Sequence, residues 1–165
     1  MDGTVIMRRV AWYGVVGVLA ALPMLAAAVT TVTVKVTVVA PPPCIINDDR
    51  PIEVEFGDVM TTRVDGNNYK MPVNYSLSCT DASSNAMKLQ VQGNGAGFDG
   101  TVLQTNKTGL GIELRQGDSK LAVNSWLNFT YPNKPELWAV PVKQSSATLT
   151  GGEFSAGATM KVAYQ

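Results

Sequence analysis

The stretch Phe154-Ser155-Ala156-Gly157-Ala158-Thr159-Met160-Lys161-Val162-Ala163-Tyr164-Gln165 decides how this chain is read. Phe154, Ala156, Ala158, Met160, Val162 and Tyr164 fall on one side of a period-two pattern, so the stretch predicts a half-buried strand with an apolar face. That face runs to Tyr164, the last residue but one. A complete β-sandwich continues past such a strand with another that covers its edge. Here none follows, and one strand is expected to be missing.

A spare strand lies at the other end. Val29-Thr30-Thr31-Val32-Thr33-Val34-Lys35-Val36-Thr37-Val38-Val39 is built almost wholly of β-branched residues, which favour extended backbone. Ala40-Pro41-Pro42-Pro43 follows. A proline run is stiff and extended, so the strand cannot fold straight back as a hairpin. Left exposed it is an aggregation hazard with a single gatekeeper, Lys35. It reads either as an ordinary first strand of its own domain or as a donor strand that fills the gap in another molecule. The proline block and the missing last strand favour the donor. Its buried face would be Val32, Val34, Val36 and Val38, worth roughly 6–12 kcal/mol gross at about 1.5–3 kcal/mol per valine, before the cost of ordering. Addition of a strand to a sheet edge is an established recognition mode. Because donor and acceptor are different surfaces of one chain, the contact is head-to-tail and propagates into a filament.

Arg8 and Arg9 precede an uncharged run from Val10 to Val29 that contains Leu25-Ala26-Ala27-Ala28. A basic start, an apolar stretch and a small-x-small site make a secretory signal, with cleavage expected after Ala28. The rival is a retained membrane helix, for which the run is long enough; Pro23 and Ala26-x-Ala28 favour cleavage. The expected organisation is a signal peptide at 1–28, a donor-strand extension at 29–40 and a domain at 41–165. Export gives the two cysteines a meaning. In an oxidising compartment Cys44 and Cys79 are expected to pair, closing a loop that adds on the order of 3–4 kcal/mol; two free buried thiols are the alternative.

Within the domain the alternation repeats. It is read over Ile52, Val54 and Phe56; over Met71, Val73, Tyr75, Leu77 and Cys79; and over Met87, Leu89 and Val91. Leu110, Ile112 and Leu114, and then Trp138, Val140 and Val142, complete the series. Turn residues separate the runs at Asp65-Gly66-Asn67-Asn68, Gly93-Asn94-Gly95, Gly117-Asp118 and Gly151-Gly152. Short strands with regular turns predict an all-β, immunoglobulin-like sandwich.

Composition removes whole classes of function. The chain has no histidine, two cysteines and a formal net charge of zero. Ser-His-Asp and Cys-His catalysis, His-containing zinc sites and cysteine-ligated clusters are excluded. Zero net charge argues against nucleic acid as a partner. Apolar residues make up 45 % and charged residues 16 %, enough for a packed core and against global disorder. Gly93-Asn94-Gly95-Ala96-Gly97-Phe98-Asp99-Gly100 lacks the Gly-Lys-Ser/Thr of a phosphate loop and reads as a flexible loop. Glu53 and Glu55 share one face of a strand and read as solvated charges.

The set of features resembles the pilins of the bacterial chaperone–usher pathway, particularly minor subunits of P-type and type 1 fimbriae. The residues that carry the resemblance are Pro42-Pro43-Cys44-Ile45-Ile46-Asn47, Val54-Glu55-Phe56-Gly57-Asp58-Val59 and Leu77-Ser78-Cys79. Gly152, thirteen residues before Gln165, and the penultimate Tyr164 complete it. Such pilins usually carry a glycine within the donor strand, and this one does not. The resemblance implies an incomplete immunoglobulin-like β-sandwich lacking its last strand, completed by a donor strand from another chain. It implies that a periplasmic chaperone grips the edge formed by Gly152, Phe154, Ala156, Ala158, Met160, Val162, Tyr164 and Gln165, and that neighbouring fimbrial subunits replace it at an outer-membrane usher. The chain is then a structural building block of a cell-surface fimbria, exported through the periplasm, with no catalytic residue, cofactor, metal or small-molecule substrate. A minor subunit such as a tip adaptor fits a short single domain. The alternative is a self-contained secreted β-sandwich that binds carbohydrate through Trp126, Phe129, Tyr131 and Trp138. In that set Trp138 is read as inward-facing, from its alternation with Val140.

Overall fold

The computed structural model describes residues 42–165. The signal stretch 1–28 and the extension 29–40, with Val32, Val34, Val36 and Val38, lie outside the described residues.

Most apolar runs become strands where the alternation places them. β1 (Cys44–Ile46) pairs antiparallel with β3 (Leu77–Cys79), bringing Cys44 opposite Cys79. The two sulfurs are bonded, and both pack on the sulfur of Met87 at 3.9 and 4.0 Å. A large sheet runs in the order β2 (Met71–Val73), β10 (Leu137–Lys143), β7 (Leu110–Gln116), β6 (Asp99–Gln104), β5 (Gly95–Ala96), with β8 (Ser119–Leu121) hairpinned onto β7. A small sheet runs β11 (Ala158–Tyr164), β4 (Ala86–Gly93), β9 (Trp126–Thr130). Every pairing is antiparallel. Met87, Leu89 and Val91 from the small sheet share one core cluster with Leu103, Ile112, Leu114, Leu137 and Ala139 from the large one. Sheet faces sheet across this core, as in an immunoglobulin-like sandwich. Within it, the buried Tyr75 donates its hydroxyl to the Pro135 carbonyl at 2.6 Å, and burial pushes the phenol up to about 12.

Four expectations are corrected. The run from Met71 to Cys79 is two strands, β2 and β3, which join different partners. Pro72 lacks an N–H for a continuous ladder, and Tyr75 sits buried between the halves. Trp138 does not face the core. Leu137 and Ala139 do, whereas Trp138 stands on the opposite face with Lys70 Nζ 4.9 Å from its ring centroid. The glycine-rich segment is no flexible loop but the β5–β6 hairpin. A Cβ on Gly95 would lie 2.5 Å from the Gly100 carbonyl oxygen, so two backbones meet there where no side chain fits. Last, the ladder of the final strand begins at Ala158, not at Phe154.

Candidate functional site

Residues 52–56 keep the predicted alternation: Ile52, Val54 and Phe56 are half-buried, while Glu53 and Glu55 are exposed. Yet among the described residues the segment joins no ladder. Its three apolar side chains pack against the core without covering it. Across from it, β11 pairs with β4 along one edge. Among the described residues its other edge has no partner. Among the described residues, two extended segments therefore flank one groove with main-chain donors and acceptors unclaimed, which is the condition that invites another strand.

Between them lies a cavity of about 510 Å³. Its floor is core: Val91 from β4, Leu103 from β6, Ile112 and Leu114 from β7, Leu137 and Ala139 from β10. One wall is formed by Ile46, Ile52, Val54 and Phe56, the other by Phe154, Ala156, Ala158 and Met160. A second cavity of about 720 Å³ continues the groove past Phe56, lined by residues 54–61, Val64, Lys107, Leu110 and residues 149–154. The two compartments share Val54, Phe56 and Phe154.

Long-range contacts shape the far end. The Asn106 side chain accepts from the Ser155 N–H at 2.9 Å, and the Asn106 N–H donates to the Ser155 carbonyl at 3.1 Å. Lys107 Nζ donates to the Gly151 carbonyl at 2.9 Å. Gly152 has φ +107°, and a Cβ there would meet Lys107 Nζ at 3.0 Å. Glycine suits this position for both reasons. Beyond β11, the Gln165 side-chain amide donates to the carbonyls of Met87 and Phe129, and its N–H donates to the Ala86 carbonyl. These donors clamp the residue onto β4 and β9.

Of the edge residues singled out in the sequence, Gly152, Phe154, Ala156, Ala158 and Met160 line the groove. Val162 and Tyr164 pack against the core further along β11, with the Tyr164 hydroxyl accepting from the Ser83 N–H at 3.0 Å. The opposite wall and the Asn106 clasp were not legible, since nothing local in the sequence links residues so far apart. The four aromatics do not converge. Trp126 is 44 % exposed on β9, beside Lys88, and Trp138 lies on the outer face of the other sheet. Phe129 is buried in the core. The half-buried Tyr131 accepts from the Cys79 N–H.

An apolar groove thus lies between two edges that have no partner among the described residues. The family described as "Fimbrial protein" matches residues 32–165. This chain belongs to that family. It is 46 % identical over 136 residues to the fimbrial-like protein YfcR of Escherichia coli (strain K12), covering 79 % of this chain and 78 % of YfcR. It is 31 % identical over 137 residues to the fimbrial adapter PapF of Escherichia coli, covering 74 % of this chain and 81 % of the adapter. The solved structure of the P pilus adaptor subunit PapF superposes with a TM-score of 0.58 at 32 % identity, covering 76 % of this chain and 98 % of PapF. The P pilus rod subunit PapA, at 24 % identity and a TM-score of 0.64 over 74 % of this chain and 99 % of PapA, shares the fold. The protein is a minor fimbrial subunit of the chaperone–usher type with an immunoglobulin-like fold.

Proposed function

We propose that this fimbrial subunit is built into its fibre by strand exchange and serves as an adaptor. The groove between residues 46–56 and residues 154–164 takes an extended strand from a neighbouring subunit, after a periplasmic chaperone has held the same groove and delivered the chain to an outer-membrane usher. Cys44 and Cys79 staple the first wall to the fold, and Gly152, Phe154, Ala156, Ala158, Met160, Val162, Tyr164 and Gln165 form the edge that chaperone and neighbour grip. In turn, residues 29–40 are the strand this subunit gives, through Val32, Val34, Val36 and Val38. Residues 1–28 direct export, and the domain spans 41–165. The product is a cell-surface fibre, and the chain is a structural part with no catalytic role.

The observation that carries this reading is the pair of unpartnered edges above a floor of core residues. Main-chain hydrogen bonds along both edges supply affinity, and alternate side chains entering the floor supply register. Similarity to PapF supports the adaptor position. Deleting residues 29–40 tests the arrangement in cells. The shortened subunit should still be recovered from the periplasm bound to a chaperone, while fibres beyond it are lost or stunted by electron microscopy. Normal fibres containing the shortened subunit would contradict the donor role.

A further inference from the structure

The small sheet has two faces, and the core occupies only one. Met87, Leu89 and Phe129 belong to the core, so the alternate residues of β4, β9 and β11 stand on the outer face. Register sets them in rows. Lys161 of β11 lies opposite Gln90 of β4, and Gln90 lies opposite Trp126 of β9; Lys88 stands in the next row, opposite Asn128. Trp126 is 44 % exposed, and Lys88 Nζ stands over its ring, 5.2 Å from the centroid.

The charge on this face is of one sign. None of the three strands contains Asp or Glu, and Lys88 and Lys161 enter none of the ion pairs among the described residues. On the large sheet, by contrast, Arg115 and Lys120 both meet Glu113. Two cations beside an open indole suit an anionic ligand that also has a flat apolar side. A sugar ring bearing a carboxylate offers both, C–H groups that lie on the indole and a charge for an ammonium. The face is small for a protein partner. Three strands about 4.8 Å apart, with β9 only five residues long, span roughly 14 by 17 Å, or about 240 Å². A stable protein interface covers about 800 Å² on each side.

We propose that this face binds an acidic oligosaccharide, with one sugar ring stacked on Trp126 and carboxylates paired with Lys88 and Lys161. Trp126 and Lys161 sit two strands apart, roughly 9.6 Å, so a ligand that engages both is longer than one sugar. Lys88 exchanges its contact with the indole for an ion pair at the margin of the ring. None of these three side chains lines the groove, so the site does not depend on strand acceptance.

Titration calorimetry on the chain purified from the periplasm tests this. The probes are tri-galacturonic acid and a hyaluronan tetrasaccharide, with the methyl ester of the first as a neutral counterpart and poly-glutamate as an acidic polypeptide. Wild type should bind at least one of the two acids at millimolar concentration, and more weakly as salt rises. Galacturonic acid alone, too short to reach Lys161, should bind more weakly than the trimer. Trp126→Ala should weaken binding by about tenfold or more, while Trp126→Phe keeps part of it. Lys161→Gln, at a second exposed position, should weaken binding by about threefold. Equal binding of the methyl ester would remove the lysines from the site and overturn the proposal. Poly-glutamate binding as tightly as the sugars, with no loss in Trp126→Ala, would mean an acidic polypeptide partner and overturn it too. If wild type binds neither acid, the proposal is wrong and strand acceptance is untouched.

Discussion

Two irregular segments lie beside the sheets, and they behave in opposite ways. Residues 65–70 lie against the outer face of the large sheet. The Gly66 backbone lies against Val142, and the Gly66 carbonyl accepts from Arg115 at 2.8 Å. Val140, between Trp138 and Val142 on that same face, is fully buried. Residues 50–56 flank the other side of the core yet leave a cavity of about 510 Å³ beside them. One stretch closes its face from within the chain, and the other leaves a groove open beside the core. A segment that seals a face turns across it and is pinned there by side-chain hydrogen bonds. The Asp65 carboxylate accepting from the N–H groups of Asn67 and Asn68 shows such pinning. Residues 52–56 on the groove wall are extended and, among the described residues, join no ladder.

Substitutions separate the two regions by size of effect. The largest loss should come from the core common to both. Leu89 is fully buried, so Leu89→Ala should lower stability by about 2–5 kcal/mol, read by urea unfolding of the chain with a bound donor peptide. Cys79→Ser, which opens the bridge to Cys44, should cost about 2–5 kcal/mol in the same assay, and reduction of the wild type should reproduce it. Val140→Ala removes two buried methyl groups from the sealed side, worth about 1.5 kcal/mol at ~0.8 kcal/mol each, and should leave donor uptake unchanged. Ile52→Ala, on the half-buried groove wall, should change the free chain by less than about 1 kcal/mol while weakening donor binding. An equal effect of the last two on donor binding would erase the distinction between the regions.

The smallest effect concerns acid. Asp99 accepts from Lys120 and from Thr101 on the outer face of the large sheet, and these bonds lower its carboxyl from 3.8 to about 2. A folded-state value below the unfolded one stabilises the fold above the unfolded pKa, and the contribution disappears as pH falls through the folded one. Between about pH 4 and pH 2 wild type should therefore lose this increment, and Asp99→Asn should not. Donor binding, which uses the other side of the core, should be unaffected by that substitution.

Much of this was legible in the sequence because alternation is a local signal. Met87, Leu89 and Val91 face inward as read, as do Ile112 and Leu114. The in-out order of residues 52–56 also survives, although they form no ladder. β10 misled for a physical reason. Leu137 and Val140 are both buried, because this strand has core on one face and a covering segment on the other. Apolar residues at both parities cannot say which face is which. One edge of the groove was legible in outline, from the apolar alternation over residues 154–164. The contact between the Phe56 and Phe154 rings and the Asn106 clasp were not, since they depend on how distant segments cross in space.

The most direct test of the central claim is the melting temperature of chaperone-free chain lacking residues 29–40, measured against rising concentrations of a synthetic donor peptide from a neighbouring subunit. A ligand that binds only the folded state raises the melting temperature as its concentration grows. An open groove predicts a low starting value and a large, concentration-dependent rise, lost when alternate inward residues of the peptide are replaced by aspartate. A high melting temperature that no donor strand alters would mean the sandwich is already complete, and would contradict the account.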